Sequence, residues 1–209
     1  MVLFPHTVVP LHIFEPRYRA MVADALKGDK LIALALLKPG WEKDYEGAPP
    51  VHDVICVGKI LRDEITEDGR HHILLEGISR ARIEELFPPG PYRRARVRVL
   101  TDSGGAPSPD QERLRLGLLA VYASLLKPGP AGPARIEHSL TLGTLCDLLA
   151  ALLDVEVREK QAILEELEPL ARAARTIEMI RRSPQAGQPV VSGLRDILKK
   201  AWPPVSSEN

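Results

Sequence analysis

The sequence predicts an α+β protein in which strands come first and helices follow. Three observations carry this expectation. Up to about residue 100, apolar residues fall in short β-branched runs or alternate with polar ones, and Gly- and Pro-rich turns separate the runs. The stretch TDSGGAPSPD, residues 101–110, then breaks the pattern. Beyond it, leucine-rich stripes recur at helical spacing.

VVPLHIF, residues 8–14, opens the chain with a β-branched run. A short helix is predicted from Pro16 to about Lys27. Proline suits its first turn, and Tyr18, Met21, Val22, Ala25 and Leu26 share one face. Gly28 is a natural stop. LIALALL, residues 31–37, reads as a buried strand, and KPGWEKDYEGAPP, residues 38–50, as a loop. A strand is predicted over 51–65. TEDGR breaks it, with Asp68-Gly69 as a hairpin-turn signal. HHILLEGISRARIEEL, residues 71–86, returns as one long strand or two, with Gly77 at a bulge or bend. In YRRARVRVL, Ala95, Val97 and Val99 alternate with Arg94, Arg96 and Arg98, the period of a strand.

In the helical half, Ser108, Pro109 and Gln111 spell a capping box with proline in the first turn. Leu114, Leu118, Val121, Tyr122 and Leu125 form the stripe behind it. A second helix is expected near Thr141, with Leu142, Leu145, Cys146, Leu149, Leu152 and Leu153 inward. A third is expected from an N-cap at Asp154, kinked or restarted at Pro169, with Ile163, Leu167, Leu170, Ala174 and Ile177 on one face. SPQAGQPV reads as a linker. The tail beyond it offers a small amphipathic helix bearing Leu194, Ile197, Leu198, Ala201 and Trp202, too short to stand alone in water.

Composition narrows the function classes. Twenty-eight basic and 28 acidic residues give zero net charge, which argues against a dedicated nucleic-acid binder. Cys56 and Cys146 form no CxxC pair or disulfide framework and read as reduced, buried thiols. With no signal-peptide pattern and no apolar run of membrane-spanning length, the chain is expected to be soluble and cytoplasmic. No phosphate loop of the form G-x-x-x-x-G-K-[ST] occurs. No cofactor is expected.

Several residue sets are candidates for chemistry. His71 and His72 are adjacent on a strand, so they point to opposite faces and cannot easily share a metal; they read as surface histidines beside a turn. Asp63, Glu64, Glu67 and Asp68 lack the calcium-loop order and read as a solvated turn. Arg94, Arg96 and Arg98 form a basic stripe, either a nucleic-acid contact or an outer face paired with Glu84 and Glu85. Aromatic residues are only 4% of the chain, yet Trp41, Tyr45, Phe87 and Tyr92 fall in loops. There they either grip extended polypeptide or cover an open end of the strand unit.

Three segments carry a family resemblance. FPHTVVPLHIFEPRYRAMV (residues 4–22) resembles the opening signature of the N-terminal, substrate-binding domain of Lon proteases. DGRHHILLEGISRARIEEL (68–86) resembles that domain's hairpin, with Gly77 and Arg80 on its G-x-x-R element. Leu140 to Arg182, above all EKQAILEELEPLARAARTIEMI, resembles the helices that follow. The resemblance implies a PUA-like small β-barrel over residues 1–100, a helical bundle over 101–182, and a linker and tail over 183–209. It also implies a non-catalytic module that binds unfolded or degron-bearing polypeptide or a protein partner. Neither the ATPase motif nor the protease domain with its Ser–Lys pair is present in these residues. Alternatives are an RNA-binding PUA-like module and a small-molecule sensor. The tail is expected to dock on its own domain or on a second copy. Glu15, Arg17 and Tyr18 match the signature and are expected to lock the first helix in place. Family members usually carry several residues ahead of Phe4 that complete the first strand, so the first strand here is expected to be short or the start late.

Overall fold

The structure is a computed structural model that describes residues 1–44, 48–88, 90–104, 107–126 and 139–183. It divides into two compact units, Met1–Thr101 and Asp102–Asn209.

The first unit is a five-stranded antiparallel sheet with one helix. Its elements are β1 (Val8–Ile13), α1 (Pro16–Leu26), β2 (Leu31–Leu34), a 3-10 turn at Trp41–Asp44, β3 (Val54–Ile65), β4 (His71–Leu86) and β5 (Ala95–Leu100). β4 is the spine. β3 pairs along one side of it; β1 takes His71–Glu76 and β5 takes Arg80–Leu86 on the other. β2 extends the sheet beyond β3. The expected barrel is therefore not closed among the described residues: β2 stands at one margin, β1 and β5 at the other.

The β3–β4 turn forms as its sequence suggests. Gly69 takes φ +75°, and its N–H donates to the Thr66 carbonyl at 2.8 Å, which favours a residue without Cβ. β4 runs unbroken through Gly77, and a register shift beside that glycine sets Ile78 outside the ladder. Gly77 has a further role. Leu3 and Phe4 are fully buried, and a Cβ at Gly77 would lie 2.0 Å from the Phe4 carbonyl oxygen. Gly77 also exchanges 2.8 Å hydrogen bonds with the N-terminal segment, donating to Thr7 and accepting from His6.

That donation fixes which way β1 faces. Thr7 turns its carbonyl, and Val9, Leu11 and Ile13 their main-chain groups, to β4, and Val8, Pro10 and His12 turn theirs to the open margin. Pro10 thus costs no ladder hydrogen bond, and it blunts the edge against another strand. The strand predicted over 31–37 is shorter and less buried than expected. Only Leu31–Leu34 pair with β3, Ile32 alone is buried, and a single bridge from Leu37 to Val51 follows. A marginal strand buries one face, not two. α1 likewise buries only Val22 of its expected stripe.

The second unit holds α2 (Pro109–Leu125), α3 (Leu142–Leu152), α4 (Val157–Glu165) and α5 (Pro169–Arg182), with α3 in contact with the other three. The Ser108–Gln111 capping box forms in both directions, and Thr141 caps α3. α4 starts later than expected: its N-cap is Glu156, not Asp154. Pro169 restarts the helix, with the Glu168 carboxylate accepting from the Ala171 N–H at 2.5 Å. Leu152, expected inward, is 45% exposed.

The largest departure is on α5, whose buried face includes Arg172, 0% exposed. Its guanidinium donates through both Nη atoms to Asp102, through Nε to the Glu166 carbonyl at 2.8 Å, and lies 3.7 Å from Asp147, itself 1% exposed. Burial alone would lower the Arg172 pKa; Asp147 and then Asp102 more than offset it, and the net shift is upward. Gly143 makes room for this cluster, since a Cβ there would lie 2.2 Å from the Asp102 carboxylate.

Both cysteines are buried, and burial is the main cause that pushes the Cys146 thiol up to about 12. The native protein is expected to resist a thiol reagent near pH ~8, whereas both thiols should react in denaturant. Rapid labelling of Cys146 in the native protein would contradict this placement. No helix among the described residues is long and apolar enough to cross a membrane. The expected tail helix, with Trp202, lies outside the described residues.

Candidate functional site

Registered residues on neighbouring antiparallel strands share a face. On the inner face of the first unit, Ile13, Ile73, Leu75 and Ile60 are buried. The outer face has three rows: Val8, Glu76 and Lys59; Pro10, Leu74 and Arg62; and His12, His72 and Glu64. The β3 members are charged and the β1 members mostly apolar. Val8 is 50% exposed, Leu74 36%, and Pro10 is exposed as well. Phe14, just past β1, is 58% exposed, with its ring tilted against His12 at 5.8 Å. His12 and His72 stack with ring centroids 4.5 Å apart and planes 8° apart. An exposed apolar strip therefore runs beside the blunted margin, from Val8 through Pro10 and Leu74 to Phe14, with two imidazoles in it.

The residues singled out from sequence are placed differently. Phe87 and Tyr92 share the β4–β5 connection, closed by a 2.9 Å bond from the Phe87 N–H to the Arg94 carbonyl. Phe87 is 37% exposed, whereas Tyr92 is half-buried and its hydroxyl donates to Asp24 on α1 at 2.9 Å. That bond raises the Tyr92 pKa; the Lys27 ammonium first, and then Tyr92, lower that of Asp24. Trp41 is half-buried in the 3-10 turn on the separate β2–β3 connection, and Tyr45 lies outside the described residues. In the arginine stripe, Arg96 pairs with Glu85 and Arg98 with Glu84, each at 3.1 Å, and Arg94 is exposed.

His71 corrects an expectation. It is 6% exposed rather than superficial, and its Nδ1 lies 2.7 Å from the Asp63 carboxylate. Asp63 on β3 therefore belongs to a largely buried pair with His71 on β4 and not to a solvated turn, whereas Glu64 and Asp68 pair with Arg62 and Arg70 on the surface. His72 faces the opposite side of the sheet. Glu15 pairs with Arg17 at 2.8 Å just ahead of α1, and that guanidinium lies 4.8 Å over the Tyr18 ring.

Residues 1–182 match the ATP-dependent protease La (LON) substrate-binding domain. The chain belongs to that family. Similar proteins include Lon protease 2 of Myxococcus xanthus, 29% identical over 185 residues, a match covering 87% of this chain and 22% of the relative. The Lon protease of Methylocella silvestris is 30% identical over 206 residues, covering 92% and 25%. The chain thus spans about a fifth to a quarter of the length of these relatives. Among solved structures, a Lon N-terminal domain protein from Xanthomonas campestris aligns with TM-score 0.60 and 20% identity over 88% of this chain and 94% of that one. The N-terminal domain of a Mycobacterium avium complex Lon protease aligns with TM-score 0.62 and 17% identity, covering 85% and 91%. These likenesses carry the fold. Within the Lon family element, Gly77 now has a physical reason, the close pass of Phe4, and Arg80 is 5% exposed on the same strand. The outer strip was not legible beforehand, because VVPLHIF is apolar on both faces and its alternation does not say which face is covered. A proline inside the run was the available signal for a marginal strand.

Proposed function

We propose that this chain is a non-catalytic polypeptide-recognition module of the cytoplasm, which holds unfolded or degron-bearing segments on the outer strip of its sheet unit. Membership of the Lon substrate-binding family supports recognition of substrate. The observation that carries the choice of surface is the exposure of Phe14, Val8 and Leu74 along one margin. Apolar area left in water there is recovered when an apolar segment covers it. Because Pro10 withholds an N–H from the margin, side-chain contact carries the binding and strand addition at this edge does not. Phe87 and Trp41, on the two connections, are secondary contacts of the same reading, and Tyr92 serves to fix its turn to α1.

The test is a fluorescence titration of the full chain with an unfolded, reduced polypeptide. Covering one large apolar side chain contributes about 1.5–3 kcal/mol, so the Phe14→Ser, Leu74→Ser double variant is expected to bind at least about tenfold more weakly. Its thermal midpoint should stay close to the parent's, since both side chains face solvent. Binding should also persist as salt is raised, whereas RNA bound to the arginine stripe would be lost steeply. Unchanged affinity in a folded double variant would remove the outer strip from this reading.

A further inference from the structure

His71 and His72 invite a question about metal that the fold answers with a different pair. His71 points inward to Asp63. The cross-strand partner of His72 is His12, directly opposite in the β1–β4 register. Both rings are exposed and stacked at 4.5 Å. We propose that His12 and His72 form a two-histidine site on the outer sheet face for a borderline divalent transition-metal ion of the Zn²⁺, Ni²⁺ or Cu²⁺ class.

The chemistry follows from spacing and exposure. Directly opposed antiparallel residues hold their Cβ atoms about 4.5–5.5 Å apart. Two bonds of about 2.0–2.1 Å to one ion require imidazole nitrogens no more than about 4 Å apart, which opposed side chains at that Cβ spacing reach once the rings turn out of their stack about the side-chain torsions. Imidazole suits these ions and not hard Mg²⁺ or Ca²⁺, which take oxygen ligands. Among the described residues no three His, Cys, Asp or Glu side chains are gathered for an ion. The pair is therefore the whole ligand set among the described residues, and water fills the other positions, as solvent exposure allows. Glu64 is next to His72 in the same row, but Arg62 holds its carboxylate, so it contributes nearby negative charge without serving as a ligand. Two ligands on a surface make a modest site, and its structural effect is specific: the ion would tie β1 to β4 in the native state only.

Binding to the native state alone raises stability with ligand concentration. Calorimetric titration of the full chain with ZnCl₂ and NiCl₂ is expected to give one site per chain, and thermal melting an ion-dependent rise in midpoint that MgCl₂ does not reproduce. His12→Ala and His72→Ala should each weaken binding about tenfold or more and remove the ion-dependent rise, while their midpoints without metal stay near the parent's. His6→Asn, which alters an exposed histidine outside the pair at φ +63°, should leave binding intact. Lowering the pH should release the ion, because metal-bound imidazoles must give up their protons. The proposal is overturned if either single variant keeps the parent's affinity, if binding is weak and non-stoichiometric, or if His6→Asn loses it equally.

Discussion

Replacing Arg172 with alanine is expected to cost the helical unit about 3–5 kcal/mol, the usual consequence of taking one partner from a buried ion pair. The side chain is fully enclosed, and it satisfies the Asp102 carboxylate, the Glu166 carbonyl and the field of Asp147 at once. Without it Asp147, 1% exposed, stays buried and loses the guanidinium that lies 3.7 Å away. Asp102, 35% exposed, can turn to water, so most of the loss comes from Asp147. Arg172→Lys should recover only part of the stability, because an ammonium cannot grip Asp102 with two parallel donors while a third reaches Glu166. Urea unfolding followed by far-ultraviolet circular dichroism measures both variants. A loss under about 1 kcal/mol for Arg172→Ala would mean that the cluster is held by packing and not by charge.

A second large effect is expected from one methyl group. Gly77→Ala puts a Cβ 2.0 Å from the Phe4 carbonyl oxygen and 2.8 Å from its carbon, and both are backbone atoms of a fully buried residue. The N-terminal segment would have to leave Gly77, giving up the bonds to Thr7 and His6 and the burial of Leu3 and Phe4. The expected loss is about 3 kcal/mol, at the upper end for overpacking. Gly58→Ala is the internal control. Its Cβ would meet the Leu75 side chain at 2.8 Å, and a side chain yields more readily than a backbone, so about 1 kcal/mol is expected there. Equal losses at the two glycines would discard the backbone explanation.

Local chemistry was legible in the sequence wherever the partners are near neighbours. The capping box at Ser108, the restart at Pro169 and the turn at Gly69 each depend on residues within a few positions, and each forms. Features assembled across the chain were not legible. Nothing within its own helix marks Arg172 as buried, because its partners Asp102 and Asp147 come from other segments. His72 reads against its neighbour His71, yet meets His12 from another strand. The outer strip was hidden for a related reason: both faces of β1 are apolar, and only the pairing with β4 decides which is covered. Of the candidate aromatics, Tyr92 is engaged with Asp24, a contact that spacing alone does not announce.

The layout around β4 also sets an order of assembly. β3 and β4 are joined by the short turn at residues 66–70, so their ladder closes with little loss of chain entropy. β1 must come from the start of the chain to meet the first half of β4, and β5 folds back later onto the second half. Long-range pairing of this kind is slow, because closure costs entropy before contacts repay it. The β3–β4 ribbon is therefore expected to act as the nucleus. Substitutions at its turn should slow refolding, and Val9→Ala in β1 should chiefly speed unfolding, a division that stopped-flow kinetics on the two variants can read. Until β1 arrives, the side of β4 that it will cover presents unpaired main-chain groups. The interval between hairpin closure and β1 docking is then the period in which a newly made copy is most exposed to association with its neighbours.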